Sequence, residues 1–191
     1  MEKKTTIIIA IGIVAVVAVA GAAILLTSGF DHEGKIINPD VSADDLNIEA
    51  KDLGRGWEES YLLSIVSGSI DNSYRHFFND DYGRLAVSIA IYGDVAEAKA
   101  EYDEIKSYFS STTNISKCQN GFKAMNFEVS SNVGSGIVGA ISESTYVFQD
   151  LNVVVEIHVS NNVSNSLVNK VMSILEKNIH NNAILVSDLP K

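Results

Sequence analysis

The sequence predicts an α+β fold: an antiparallel β-sheet covered by two amphipathic helices, preceded by an N-terminal transmembrane helix. Three observations predict it. An uncharged run extends from Thr5 to Phe30. Several later segments alternate apolar and polar residues with period two, and two others carry an apolar stripe at helical spacing. The chain has 191 residues, of which 24 are acidic and 14 basic, for a net charge of −10. The portion beyond the uncharged run is the length of one domain and large enough to bury a core.

The N-terminal element comes first. Ile7 to Leu26 reads IIIAIGIVAVVAVAGAAILL, and about 20 apolar residues at about 1.5 Å each span the hydrocarbon of a bilayer. Lys3 and Lys4 precede the run, while Asp31 and Glu33 come after it. Basic residues favour the cytoplasmic side, so the amino terminus is expected inside and the domain outside. A cleaved signal peptide is the alternative, with small residues at Ala18, Ala20 and Ala22. The apolar run continues through Ile24, Leu25 and Leu26, where a cleavage region should turn polar, so a retained anchor is favoured. The expected divisions are 1–30 as cytoplasmic tip and anchor, 31–45 as stalk, 46–182 as the extracytoplasmic domain and 183–191 as tail.

Within the domain, Gly83–Tyr92 places Leu85, Val87, Ile89 and Ile91 on one face and Ala86, Ser88, Ala90 and Tyr92 on the other. Asn152–Ser160 alternates in the same way, with Glu156 and His158 on its polar side. Both are half-buried strands. Weaker strand patterns occur at Trp57–Val66, Ser73–Phe78, Phe122–Ser130 and Glu143–Phe148, and the polar stretch Gln149–Asn152 predicts a hairpin. Asp94, with Glu97 three residues on, marks a helix start. Val95, Ala98, Tyr102, Ile105 and Phe109 then form one stripe. A second helix is expected from about Ser164 to Ile179, buried through Leu167, Val168, Val171, Leu175 and Ile179 and ended by Asn181-Asn182. The order is βββαβββα.

The entry Asp52-Leu53-Gly54-Arg55-Gly56-Trp57, with the later order of strands and helices, resembles prokaryotic extracytoplasmic domains of the PsbP-like and LpqN-like type. The resemblance implies an α+β sandwich from about Leu46 to Ile179. Proteins of this type include photosystem accessory subunits and anchored lipoproteins, many of them with no assigned activity. No lipid-attachable cysteine comes after the apolar run here, so no family function transfers residue by residue.

The acidity opposes a nucleic-acid-binding surface, which needs clustered Lys and Arg. A single cysteine, Cys118, rules out an internal disulfide framework and a multi-Cys zinc site. Gly134-Ser135-Gly136-Ile137-Val138-Gly139 matches G-x-G-x-x-G in letters, yet the residues after it favour strand over helix, so a hairpin loop is expected. The four histidines, His32, His76, His158 and His180, match no metal spacing. Asp71, Asp80 and Asp81 bracket a strand without the pattern of a calcium loop. Trp57 reads as a core anchor. No G-x-S-x-G elbow occurs, no catalytic residue is assigned, and no cofactor or metal is expected. Asn114-Ile115-Ser116 and Asn162-Val163-Ser164 fit the N-glycosylation sequon.

The function expected is a single-pass, membrane-anchored, non-catalytic binding or accessory domain. Its bilayer contact is residues 7–26, and its partner is a protein or an envelope component. The candidate ligand-binding residues are Ser88, Glu128, Glu156 and His158, on a sheet face left open if the helices cover the other side. An extracytoplasmic hydrolase assembled from non-adjacent residues, or a structural subunit of a membrane complex, are the alternatives.

Overall fold

The two strongest period-two segments become the central strands of one sheet, because each carries apolar side chains that need cover. The computed structural model describes residues 34–60, 68–118, 120–128, 141–160 and 162–189. A seven-stranded sheet has the order β2 (Glu58–Ser60), β3 (Asp71–Asn79), β4 (Gly83–Ile91), β8 (Val153–Ser160), β7 (Ile141–Asp150), β6 (Gly121–Glu128), β5 (Ile115–Cys118). All its neighbours are antiparallel. The helices are α1 (Ala43–Leu46), α2 (Ala50–Leu53), α3 (Val95–Thr112) and α4 (Asn165–Asn181). A separate two-stranded ribbon pairs β1 (Lys35–Ile37) with β9 (Ala183–Leu185).

The long helices start where their capping residues place them. The Asp94 carboxylate accepts the Glu97 N–H at 2.8 Å, while the Glu97 carboxylate accepts the Gly93 N–H at 3.0 Å. The Ser164 hydroxyl accepts the Leu167 N–H at 3.2 Å, and Asn182 closes α4. Asp94 and Ser164 each satisfy a backbone donor that the first helical turn leaves unpaired, while the Asn182 N–H donates to the Ile179 carbonyl at 3.1 Å.

The helices do not share a side of the sheet, contrary to the expected arrangement. On the first face, α4 buries Val168, Val171, Met172, Leu175 and Ile179 against Leu85, Val87, Ile89, Phe148, Val155 and Ile157, joined by Leu46, Leu53 and Trp57. On the second face, α3 lays Ala98, Tyr102, Ile105 and Phe109 over Ala90, Phe122, Ala124, Val147 and Val154. The physical reason is that the central strands are apolar on both sides at this end. Ala90, Val147 and Val154 point away from α4 and need a roof of their own.

Three further differences concern the edges. Residues expected as stalk are built into the domain, since Ile37 and Ala43 are buried and Lys35–Ile37 pair with the expected tail. A short strand, β5, precedes β6 at the sheet edge, giving four strands where three were expected. The hairpin turn tightens to Leu151-Asn152, because Asp150 already pairs with Val153. Leu151 there takes φ of 51°. Asn152 is buried, accepts the Ile37 N–H at 2.8 Å and donates to the Tyr92 carbonyl at 2.7 Å, which ties the ribbon, the hairpin and β4 together.

Among the described residues no helix is long and apolar enough to cross a membrane. The expected span, residues 7–26, lies outside them, as does the glycine-rich stretch 134–139.

Candidate functional site: a polar groove along β4

Helix α3 roofs the second face over Ala90 and Val154 and over Phe122, Ala124 and Val147 on β6 and β7. Beyond it the same face turns polar. The register sets Tyr74, Ser88 and Glu156 in one row across β3, β4 and β8. The next row holds His76, Ala86, His158 and Thr145, the last on β7. The β4 residues in these rows are small, while their neighbours on both sides are large. A groove therefore runs along β4, with Ala86 and Ser88 as its floor, Tyr74 and His76 as one wall, and Glu156 and His158 as the other. Tyr92 and α3 close one end.

The side chains along this groove are partly linked. His158 Nδ1 lies 3.1 Å from the Thr145 hydroxyl, and its Nε2 lies 3.7 Å from a Glu156 oxygen. The Glu156 side chain keeps 27% of its surface exposed and that of His158 34%. Glu156 nevertheless stands over the middle of the sheet, and the loss of water around it pushes its carboxyl pKa up. Glu101 of α3 is pushed up as well, first by burial and then by the charges of Glu104 and Glu156. Burial raises the Tyr74 phenol, with Glu143 and Glu156 adding to the effect.

Two buried side-chain atoms among the described residues have no hydrogen-bond partner, the Tyr92 hydroxyl and His76 Nδ1. Both belong to this face. Tyr92 is only 4% exposed. Its phenol pKa is raised by burial and then by the charges of Glu101 and Glu156. Burial, with Arg84 nearby, lowers the His76 pKa.

Three of the four predicted residues, Ser88, Glu156 and His158, thus meet. Glu128 does not. Ala124 is in the His158 row, and Glu128 lies four residues further along β6, about 13 Å at strand rise and away from Glu156. Its side chain falls outside the described residues. The open face also differs from expectation in being half roofed by α3. The sequence alone does not single out Tyr74, His76, Tyr92, Glu101 and Thr145 as binding residues. The signal it does hold is the run of small residues Ala86, Ser88 and Ala90 between strands carrying bulky polar ones.

Other sequence-derived candidates have structural work or stand apart. Asp71 accepts the Ala43 N–H at 2.7 Å and the Asn72 N–H at 2.9 Å, so its carboxylate holds α1. Asp80 and Asp81 are exposed in the β3–β4 turn. No three His, Cys, Asp or Glu side chains among the described residues gather to hold a metal ion. Trp57 is buried in the core, as expected. Cys118, expected in a loop, closes β5 instead, and burial pushes its thiol pKa up. Asn114 and Asn162 are exposed in the turns after α3 and β8.

A cleft of about 440 Å³ lies at the sheet edge between α1, α2 and β3. Its centre is Arg75, which donates to both Asp44 oxygens, at 3.0 and 2.8 Å, and to the Ile48 carbonyl at 3.1 Å. These bonds hold the Asp44 carboxyl below the usual carboxylate range. Arg75 is spent on pinning α1 to the sheet, which leaves the β4 groove as the stronger candidate.

No family model and no curated protein matches the chain. Among solved structures, the extracellular domain of PknH from Mycobacterium tuberculosis is similar, with a TM-score of 0.53 and 7% identity, covering 74% of this chain and 97% of that one. At that identity the likeness shows a shared α+β fold. A protein from Bacteroides thetaiotaomicron matches with a TM-score of 0.39 and 16% identity over 68% of this chain and 42% of its own, too low a score to carry an argument.

Proposed function

We propose that this chain is a single-pass membrane protein, held by residues 7–26 with its amino terminus in the cytoplasm. Its domain is displayed outside as a non-catalytic binding or accessory module of PsbP-like and LpqN-like type. The observation that carries the binding role is the β4 groove, where unpartnered buried polar atoms and desolvated carboxyls gather on a face that α3 leaves half open. Such groups cost folding free energy unless something else engages them. The likeness to an extracellular domain supports the outward placement, as do Lys3 and Lys4 ahead of the apolar run. Exposed Asn114 and Asn162 are suited to carrying glycans there.

The geometry favours binding over catalysis. Thr145, His158 and Glu156 form a hydroxyl–imidazole–carboxylate chain, which is the composition of an acyl-transfer triad. Thr145, however, is fully buried at 0% exposure, so no substrate carbonyl reaches its oxygen. Its neighbours lie in continuous antiparallel ladders on both sides, which occupy the backbone N–H groups an oxyanion hole would need.

Cross-linking of the full-length protein in its native membrane tests the role, run in parallel with Ala86→Phe, which fills the groove floor. One partner recovered with the parent and lost with a folded Ala86→Phe protein is the expected result. Equal recovery by both, or none by either, overturns the groove as the binding site. Protease digestion of sealed right-side-out vesicles should degrade the domain; protection overturns the outward placement.

A further inference from the structure

We propose that the seam of the domain, where β1 meets β9, rests on the lipid bilayer and sinks Leu185 and Val186 among the headgroups of the outward-facing leaflet. This rests on reading residues 7–26 as a retained span and adds which surface of the domain meets the lipid. Leu185 and Val186 keep 42% and 47% of their surface exposed. Among the described residues they are the one pair of exposed large apolar side chains adjacent in the chain. The Val186 N–H donates to the Gly34 carbonyl at 2.6 Å, so the pair sits beside the point where the chain enters the domain.

The length of chain leading to that point says what covers the pair. The apolar run ends at Leu26, eight residues before Gly34, a reach of at most about 29 Å when fully extended. The ribbon is tied to one end of the sheet, because the Ile37 N–H donates to Asn152 in the β7–β8 turn. Ile70 and Val95 belong to that end too. The Ile70 N–H donates to the Ile91 carbonyl, and Val95 opens α3 three residues after Tyr92, which pairs with Asn152. Both are exposed, at 70% and 38%. The β3–β4 turn lies at the opposite end, about 27 Å away along β3. The apolar groups at the seam therefore need the least slack to reach lipid, and leaving water for the interface is favourable for them. Exposed Lys35, directly across from Leu185, can lay its methylenes beside the pair and reach a lipid phosphate. Asp188 is exposed two residues beyond Val186, so a zwitterionic surface suits this end better than an anionic one.

The test uses full-length protein with Cys118→Ser (or Cys118→Ala, should the serine variant unfold) and one new cysteine at a time: Leu185→Cys, Val186→Cys or Tyr82→Cys. Each cysteine carries an environment-sensitive fluorophore, and the protein is placed in phosphatidylcholine vesicles whose acyl chains bear bromine near the glycerol. Circular dichroism reads the fold, and alkaline carbonate extraction reads the anchor. Loss of emission at 185 and 186, with none at 82, is expected. Adding Leu185→Asp to the protein labelled at 186 should restore its emission, because a carboxylate there draws the seam back into water. Undiminished emission at 185 and 186 in folded, carbonate-resistant protein overturns the lipid contact and leaves the span standing. Equal quenching at 82 overturns it as well, since the domain would then meet lipid without a preferred end. Quenching at 186 that survives Leu185→Asp overturns the part given to the apolar pair. Release of the protein by carbonate overturns the span and the contact together.

Discussion

The two faces of the seven-stranded sheet are built from the same strands and serve opposite ends. On the face under α4, Phe77, Leu85, Val87, Ile89, Phe148, Val155 and Ile157 form a continuous apolar layer matched by five buried residues of the helix. On the other, an apolar patch under α3 gives way to Ser88, Glu156, His158, Tyr74 and His76. One face removes hydrocarbon from water and so holds the fold together. The other keeps partly desolvated charges and unpartnered polar atoms, which oppose folding. A single sheet can carry both because alternate residues of a strand belong to different environments.

Substitutions can sharpen or break this contrast. The largest effect is expected from Leu175→Ala, which opens a cavity between α4 and the sheet. Chemical denaturation should show a loss of about 2–5 kcal/mol. Ile105→Ala on α3 removes a partly buried side chain from the smaller patch, and a loss of about 1–2 kcal/mol is expected. Equal losses at the two positions would mean that the faces contribute alike and would break the comparison.

The smallest effect has the opposite sign. Folding raises the Glu156 pKa from its ordinary 4.5, so the native state holds that proton more tightly than the unfolded chain does. The native state is therefore disfavoured progressively as pH rises from about the ordinary carboxyl value through the raised one. Glu156→Gln removes this cost. Its melting temperature should exceed that of the parent at neutral pH and converge with it in acid. A variant less stable than the parent at neutral pH would mean that Glu156 supports the fold rather than a ligand.

Much of this architecture was legible because it rests on local periodicity. Leu85 to Ile91 and Val153 to Val159 alternate cleanly, and the caps Asp94 and Ser164 bound their helices as their chemistry requires. The side each helix covers was not legible, since an apolar stripe does not say which face of a sheet it meets. Ala90, Val147 and Val154 carried the clue, being apolar on the side that otherwise reads as polar. The edge elements were hidden for another reason. Lys35–Ile37 and Ala183–Leu185 are too short for a period to show and owe their conformation to each other across the length of the domain. Of the site, Ser88, Glu156 and His158 followed from alternation along β4 and β8. Tyr92 falls on the Ser88 side by the same alternation, Glu101 belongs to α3, whose side of the sheet was not legible, and Glu128 was misplaced because its distance along β6 depends on register.

The pairing of β1 with β9 has a mechanical consequence. Val186 donates to the Gly34 carbonyl at 2.6 Å beside the Lys35–Leu185 pair, so the described domain begins and ends at one point. Tension applied between these two ends meets the ribbon first and loads its three residue pairs one after another, like a zipper. The seven-stranded sheet lies behind that fuse. The chain can therefore yield at its seam under tension while the groove along β4 keeps its shape.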